Sequence, residues 1–252
     1  MADSGKLVIS CSTLGYAIAG ATVSAAIAAE RWVGRGDEQA AEEAAAAAMR
    51  EALNAVDFTG HVVVGEVDIP ILNVGESVGT GNGPELDIAL EALEGTTLTA
   101  KAMPNALAVI AAAPKGGLLQ VPDLYMEKLA IGPGYERGVV DLDASAGENA
   151  IRLAKAKGVD VREITACVLD RPRHEKIIAD LRKVGVRINL IPDGDVAGAI
   201  NTAMPETAID MYVGQGKAPE GVLAAAALRC AGGQMQARFV FRNDAEKYQA
   251  QR

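Results

Sequence analysis

Histidine, cysteine and aromatic residues are scarce in this chain of 252 residues, which has two His, three Cys and 4% Phe, Trp and Tyr. The cysteines Cys11, Cys167 and Cys230 lie far apart and form no Cys-x-x-Cys pair. We therefore expect neither a zinc site nor a disulfide framework. This cysteine usage is typical of a reducing compartment, so we expect the protein to be cytoplasmic.

Positive charge is also in deficit, because 33 acidic residues outnumber 24 basic ones and give a net charge of −9. Such a balance argues against a nucleic acid as the main partner, since the phosphate backbone would be repelled. Half of the residues are hydrophobic, which excludes a disordered chain and provides a sizeable core. Any anion that this protein binds must be met by a local basic pocket.

Charged residues are absent from Leu7 to Ala29, a run long enough to span a bilayer. Ala, Gly, Ser and Thr fill most of this run, so its transfer into a membrane should be close to neutral in free energy. The start of the chain is also less basic than a signal peptide requires. We expect a soluble helix, packed in the core or at an interface, and no membrane association.

The remaining pattern predicts an α/β protein. Asp37 to Val56 reads as a helix capped by Asp37, His61 to Gly65 as a strand, and Ala106 to Ala113 as a buried strand. Further along, helices and strands alternate: Ala150–Lys157, Ile164–Leu169, Glu175–Val184, Val186–Ile191 and a helix from Asp195. Asp141 to Gly147 lacks apolar periodicity, which predicts a boundary between a half of residues 1–145 and a half of residues 146–252.

Two carboxylates stand three residues apart, Glu91 and Glu94, just before the turn Gly95-Thr96. Both side chains could face one pocket, with the hydroxyl and the backbone N–H groups of the turn facing an anion. Taken alone, this pair is weak evidence for a site, because acids at this spacing are abundant on solvated helices. Glu66 and Asp68 lie at the exit of the predicted strand, a position at which acids can be functional.

Seven motifs surround this acid pair. They are, in order, Trp32-Val33-Gly34-Arg35-Gly36-Asp37, Val78-Gly79-Thr80-Gly81, Leu93-Glu94-Gly95-Thr96, Pro122-Asp123-Leu124-Tyr125-Met126-Glu127-Lys128, Pro172-Arg173-His174, Ile191-Pro192-Asp193-Gly194-Asp195 and Ala218-Pro219-Glu220-Gly221-Val222. Together they resemble the class II fructose-1,6-bisphosphatases over roughly residues 32–238. These enzymes belong to the lithium-sensitive, metal-dependent sugar phosphatases, so the resemblance implies an α/β fold of alternating helix and sheet layers.

The resemblance also implies a metal site and a catalytic pair. The residues at the positions of the family's metal ligands are Glu42, Glu66, Glu91, Glu94 and Glu220. Glu94 and Thr96 would be catalytic, with Thr96 orienting the attacking water or the leaving group. Mg²⁺ or Mn²⁺ suits such an all-oxygen cluster.

Substrate binding is implied at a second set of positions: Tyr125, Arg171, Arg173, Asp193, Gly194 and Asp195. If Arg171-Pro172-Arg173 is extended, both guanidiniums project to one side and can hold a distal phosphate. Asp193 and Asp195 would accept hydrogen bonds from sugar hydroxyls, and Gly194 would allow close approach of the backbone. His174 is interpreted as the start of a helix, and Trp32 as a core residue.

The activity implied is hydrolysis of the 1-phosphate of fructose 1,6-bisphosphate to fructose 6-phosphate, with sedoheptulose 1,7-bisphosphate as a second substrate. Such an enzyme would serve gluconeogenesis or the Calvin cycle, as a homo-oligomer. The alternative is a weakened or inactive sugar-phosphate-binding relative. A nucleotide-binding loop at Gly79–Gly83 is a weaker alternative still, because Gly-x-Gly-x-x-Gly and a Walker lysine are both missing.

Several departures from the family pattern underlie the first alternative. Glu42 and Glu91 stand where the family usually has Asp, Ala92 replaces a proline, and the turn Gly65–Pro70 is shorter and has fewer acids. The chain also ends before the final segment that family members carry, so we expect the second half to be truncated at its C terminus.

Overall fold

The computed structural model describes residues 13–251. Cys11 and residues 7–12 of the charge-free run therefore lie outside the described residues. Within them, Cys167 and Cys230 are free thiols.

The first sheet has four strands in the order β2-β1-β3-β4. Strands β1 and β3 are parallel, whereas β2 and β4 pair antiparallel with their neighbours. The elements of this part are α1 (Thr13–Glu30), α2 (Glu38–Leu53), β1 (Thr59–Val64), β2 (Ser77–Val78), β3 (Glu85–Glu94), α3 (Thr96–Ala100) and β4 (Leu107–Pro114). Helix α2 begins as predicted, since the Asp37 side chain accepts a hydrogen bond from the backbone N–H of Ala40 at 3.0 Å.

The second sheet has five strands in the order β7-β6-β8-β5-β9. Strands β6, β7 and β8 run parallel, and β5 pairs antiparallel with both β8 and β9. The elements are β5 (Tyr125–Ile131), α4 (Ala146–Lys157), β6 (Thr165–Leu169), α5 (Glu175–Val184), β7 (Arg187–Ile191), α6 (Asp195–Ile200), β8 (Met211–Lys217), α7 (Ala218–Ala231), β9 (Gln234–Val240) and α8 (Asp244–Gln249). Four 3₁₀ turns complete this part: Val161–Glu163, Pro172–His174, Asn201–Ala203 and Pro205–Thr207.

Helices and sheets alternate in five layers, which confirms the predicted α/β layered fold. Helices α1 and α2 cover the outer face of the first sheet, where Met49, Leu53 and Phe58 are fully buried. Helices α6 and α7 lie between the two sheets, with Val196 and Leu223 packed towards the first sheet and Ala199 and Leu228 packed towards the second. Helices α4 and α5 cover the far face of the second sheet. Burial of both sheets on both faces accounts for the high apolar content of the chain.

Most of the predicted elements are present, and two details differ. Strand β4 exists where a buried strand was predicted, but it is the edge of its sheet and its residues are only partly buried. Strand β5 precedes the predicted boundary near residue 145 and yet lies inside the second sheet. The division into halves at residue 145 stays a prediction. Trp32 packs against the first core, as expected.

Helix α1 has the length and the apolar composition that a membrane-spanning helix needs. In this fold it packs against α2, β3 and β4 through a stripe formed by Ile18, Ala21, Ala25 and Ala29. This packing agrees with the predicted packed helix. The opposite face is exposed and carries Tyr16, Val23 and Ile27.

Candidate active site

A cleft of about 280 Å³ opens where the two sheets meet the N-terminal ends of α6 and α7. Strands β3, β6 and β8 all end at this cleft, with Glu94, Leu169 and Lys217 in its lining. In layered α/β proteins the carboxyl ends of strands are the usual place for a ligand site. Ten of the twelve predicted site residues line the cleft, and the remaining two, Glu66 and Gly194, lie directly behind its lining.

The acid pair reaches the cleft through an irregularity in strand β3. Residues three apart on a regular strand point to opposite faces of the sheet. Here three steps along β3, from Glu91 to Glu94, face two steps along β4, from Val109 to Leu107. This extra residue is a β-bulge, and it returns Glu94 to the face that Glu91 occupies. Both carboxylates consequently line the same cleft.

We call the carboxylates at one side of the cleft the acid wall: Glu42, Glu66, Glu91, Glu94 and Glu220. Glu66 follows β1 and is 4% exposed, and its Oε1 atom accepts a hydrogen bond from the backbone N–H of Ala92 at 2.7 Å. Burial, together with the neighbouring charges of Glu42 and Glu220, raises the pKa of Glu66 to about 7. Burial and the same kind of neighbours also raise the pKa of Glu42 and of Glu91.

Glu94 is the most constrained member of the acid wall. Its Oε1 atom accepts a hydrogen bond from the backbone N–H of Val196 at 3.0 Å, which links the first sheet to the start of α6. Its Oε2 atom is buried and has no hydrogen-bond partner, and the same is true of Oε2 of Glu220. Burial and the charge of Asp195 raise the pKa of Glu94 to about 8. Burial also raises the pKa of Glu220.

The chemical properties of these carboxylates suit a hard divalent cation. The donors are all oxygen, two buried carboxylate oxygens lack any partner, and the acids raise each other's pKa values, so a bound cation would compensate each of these costs. Across residues 13–251, however, no three acidic, His or Cys side chains converge closely enough to form a finished cation site. The acid wall is thus an open set of ligands around a shared cleft.

Thr96 stands at the edge of the acid wall as the first residue of α3. Gly95, just before it, adopts a left-handed backbone with φ of 87°, which turns the chain sharply from β3 into the helix. Thr96 lines the cleft, and its hydroxyl donates a long hydrogen bond, 3.5 Å, to Oε2 of Glu38.

We call the opposite side of the cleft the basic wall: Tyr125, Arg171 and Arg173. The backbone here is not extended as predicted, because Arg171 leads directly into the 3₁₀ turn Pro172–His174. Both arginines line the cleft all the same. Arg173 donates from Nε and from one terminal nitrogen to the backbone carbonyl of Gln215, at 3.2 and 3.0 Å. Its guanidinium carbon also lies 5.2 Å from the centre of the Tyr125 ring.

His174 holds this turn in place and begins α5, as the sequence indicated. It is fully buried, and its Nε2 atom accepts a hydrogen bond from the backbone N–H of Gln215 at 2.8 Å. Because Nε2 accepts, Nδ1 carries the proton and donates it to the carbonyl of Leu169, at 2.8 Å. Burial lowers the pKa of His174, in keeping with a neutral, structural ring.

Asp193, Gly194 and Asp195 connect the two walls. Gly194 has φ of 87°, and a Cβ atom there would lie 3.3 Å from Oε2 of Glu94, so a glycine suits both the backbone and the space. The Asp195 carboxylate is buried and pairs with the buried Lys128 ammonium at 2.7 Å. Gly216 makes room for this pair, since a Cβ atom there would strike Oδ2 of Asp195.

Three charged residues of the site were not predicted to act there. Lys217 lines the cleft, Lys128 supports Asp195 from below, and Arg242 lies over the second side of the Tyr125 ring, 5.7 Å from its centre. Asp68, which the sequence placed at the exit of a strand, also lines the cleft. One signal was available for Lys128, because a lysine in the middle of an apolar strand must have a buried partner. Arg242 comes from beyond the region of family resemblance, and only the pairing of β9 with β5 brings it close.

Comparison with known proteins identifies one family. The family described as bacterial fructose-1,6-bisphosphatase, glpX-encoded, matches residues 12–252. Fructose-1,6-bisphosphatase 1 class 2 of Escherichia coli (strain K12) is 46% identical over 226 residues, which cover 88% of this chain and 67% of that protein. The fructose-1,6-bisphosphatase class 2 of Shigella flexneri matches with the same identity and coverage.

Proposed function

Because this chain belongs to the bacterial, glpX-encoded fructose-1,6-bisphosphatase family, we propose that it hydrolyses the 1-phosphate of fructose 1,6-bisphosphate to fructose 6-phosphate. This makes it a phosphoric monoester hydrolase. The observation that carries the proposal is the cleft itself, where an acid wall faces a basic wall. A bound sugar bisphosphate would place one phosphate near each wall, with its hydroxyl groups between the two walls.

The acid wall would hold the divalent cation, Mg²⁺ or Mn²⁺, through Glu42, Glu66, Glu91, Glu94 and Glu220. When bound, such a cation supplies positive charge that polarises a phosphoryl oxygen and lowers the pKa of the attacking water. Glu94 is held by Val196 through Oε1, and its other carboxylate oxygen, Oε2, stays buried without a protein partner. The hydrogen bond from the Thr96 hydroxyl to Glu38 is long, at 3.5 Å. The hydroxyl can therefore reorient to donate to the water or to the leaving oxygen.

The basic wall would bind the phosphate that is not cleaved. Arg173 is already held by the Gln215 carbonyl and by the Tyr125 ring, so little side-chain entropy is lost when a phosphate binds. Arg171 adds a second guanidinium on the same side of the cleft. Asp193 and Asp195 would accept hydrogen bonds from the sugar hydroxyls, with Asp195 kept in position by Lys128.

The finer parts of this proposal follow from the family and from the charge of the chain. Sedoheptulose 1,7-bisphosphate would be a second substrate, and the enzyme would serve gluconeogenesis or the Calvin cycle. We propose a cytoplasmic homo-oligomer that binds neither nucleic acid nor membrane, with the exposed face of α1 available for contact between subunits. The alternative of an inactive sugar-phosphate-binding relative finds no support in the comparisons.

Phosphate release from a panel of sugar phosphates tests the proposal. We expect release from fructose 1,6-bisphosphate with Mg²⁺ or Mn²⁺, weaker release from monophosphates, and none after chelation with EDTA. Binding of the bisphosphate without release in either metal would favour the inactive alternative. Release that EDTA leaves unchanged would exclude the acid wall from catalysis.

A further inference from the structure

Lys217 brings a positive charge into the acid wall. It is the last residue of β8 and directly precedes α7, whose first turn carries Glu220. Its side chain lines the cleft together with Glu42, Glu91 and Glu220. The only ion-pair contact of its ammonium group among the described residues is a long one, 3.9 Å from Nζ to Oδ2 of Asp123.

Two lysines of the site therefore differ in freedom. Lys128 is 1% exposed and fixed by the 2.7 Å contact with Asp195. The Lys217 side chain is 39% exposed, has no contact of that quality, and ends a strand at the mouth of the cleft. A flexible four-carbon stem with a distant partner can move its charge across the cleft at little cost.

The charge of Lys217 affects the pKa values of the acids around it. Lys217 lowers the otherwise raised pKa values of Glu42 and Glu220. Although burial opposes it, the charges of Asp123, Glu220 and Asp68 raise the pKa of Lys217, so the ammonium group stays protonated at neutral pH. Close packing of several carboxylates is costly without a cation, and Lys217 is a partly exposed cation in the same cleft.

We propose that Lys217 is an internal counter-cation of the acid wall, which stabilises the metal-free protein and competes with the divalent cation for the same carboxylates. The inference rests on the proposed function only in assuming that a divalent cation binds there. On this account Lys217 is a positioning residue and not a catalytic one. A cation that binds must displace the ammonium group towards Asp123 or towards a bound phosphate.

Removal of the charge should consequently have two opposite effects. In Lys217→Met, the affinity for Mn²⁺ should rise at least about fivefold, because a unit charge beside a divalent cation is strongly repulsive at short range. The melting temperature of the metal-free protein at pH 8 should fall, because the carboxylates lose a flexible counter-charge in the same cleft. Lys217→Arg should keep both properties near those of the original chain.

Titration calorimetry with Mn²⁺ and thermal melting in EDTA test this on the full chain. Lys115→Met is the matched control, since Lys115 makes an exposed ion pair with Glu85 away from the cleft. If Mn²⁺ affinity is unchanged or weaker in Lys217→Met and in Lys217→Gln, the proposal is wrong. Unchanged Mn²⁺ affinity with weaker binding of inorganic phosphate would instead make Lys217 a phosphate ligand.

The two hypotheses fail separately. If the unaltered chain binds no Mn²⁺, the proposed metal-dependent function fails, and the melting temperature in EDTA still decides whether Lys217 stabilises the acids. If Mn²⁺ binds and the Lys217 variants behave like the Lys115 control in both measurements, only the role of Lys217 is lost. Lys217→Gln keeps the test valid if the methionine variant does not fold.

Discussion

The two walls of the cleft are prepared for their ligands in opposite ways. On the acid wall, buried carboxylates repel each other, have raised pKa values and leave two oxygens without partners. On the basic wall, Arg173 already donates to a backbone carbonyl and stacks on an aromatic ring. On the proposed assignment, a cation would gain affinity by relieving an unfavourable arrangement, whereas a phosphate would gain it from a geometry that is already formed. Variants on the two walls should differ accordingly.

The largest effect is expected for Glu94→Gln on the acid wall. Turnover should fall at least about 100-fold, the scale seen when one electrostatic partner of a transition state is removed. Stability of the metal-free protein at pH 8 should rise, because a buried charge without a full set of partners is lost. Steady-state kinetics at saturating Mn²⁺ and melting curves in EDTA measure the two changes. Near-normal turnover would show that Glu94 is not a metal ligand.

On the basic wall, Arg173→Ala should weaken substrate binding and leave metal binding unaffected. KM for the bisphosphate should rise by the equivalent of about 1.5–3 kcal/mol, the value of a hydrogen bond to a charged group. KM for a monophosphate that lacks the distal phosphate should change far less. Arg182→Ala, at the exposed end of α5, is the control. Equal effects on both substrates would exclude Arg173 from the phosphate site.

The acid wall also predicts a pH dependence of stability. Glu94 has a folded-state pKa of about 8 against an ordinary value of 4.5, so the folded state binds its proton more tightly than the unfolded state does. That stabilisation is complete below about pH 4.5 and is lost as the pH rises through 8, a change on the order of 5 kcal/mol. The melting temperature in EDTA should fall between pH 5 and pH 8.5.

Two variants sharpen the assignment of this pH effect. Glu94→Gln should flatten the fall, whereas Arg173→Ala should preserve it, because Arg173 lies on the opposite wall of the cleft and leaves the Glu94 carboxylate in place. Mn²⁺ should restore the melting temperature most strongly at high pH. A melting temperature in EDTA that rises over this range would contradict the charge arrangement of the acid wall.

The smallest effect is expected for the double variant Glu42→Asp with Glu91→Asp. Each Glu reaches one methylene further than the Asp usual in the family, and Mg²⁺ demands stricter octahedral geometry than a larger cation does. If the backbone follows the family, kcat/KM should rise more with Mg²⁺ than with Mn²⁺. A fall in both metals would show that the main chain near Ala92 and the short Gly65 turn has adapted to the longer acids.

Local signals in the sequence were sufficient for about half of the helices and strands. The Asp37 cap, the alternation of helix and strand after residue 148, and the helix beginning at Asp195 are all present. Strands β2, β3 and β5, helices α3 and α8, and the strands and helix between Met211 and Val240 were not predicted, because they do not stand out by periodicity alone. The exposure of β4 was missed as well, since an apolar run does not reveal whether a strand is central or at an edge.

The sequence by itself determined the chemistry of this protein: an acidic, cysteine-poor α/β chain with glutamates, arginines and a glycine-rich turn in the order typical of one phosphatase family. Tertiary structure alone decided how those residues meet. A bulge of one residue in β3 places Glu91 and Glu94 on the same face, and a 3₁₀ turn sets Arg173 against the Gln215 carbonyl. Strand pairing brings Lys217 into the cleft, Lys128 against Asp195 and Arg242 against Tyr125. The physical reason is the distance along the chain over which each interaction acts. Capping, propensity and periodicity act over a few residues, whereas register, burial and the electrostatic neighbours of a charge depend on segments that are far apart in the chain.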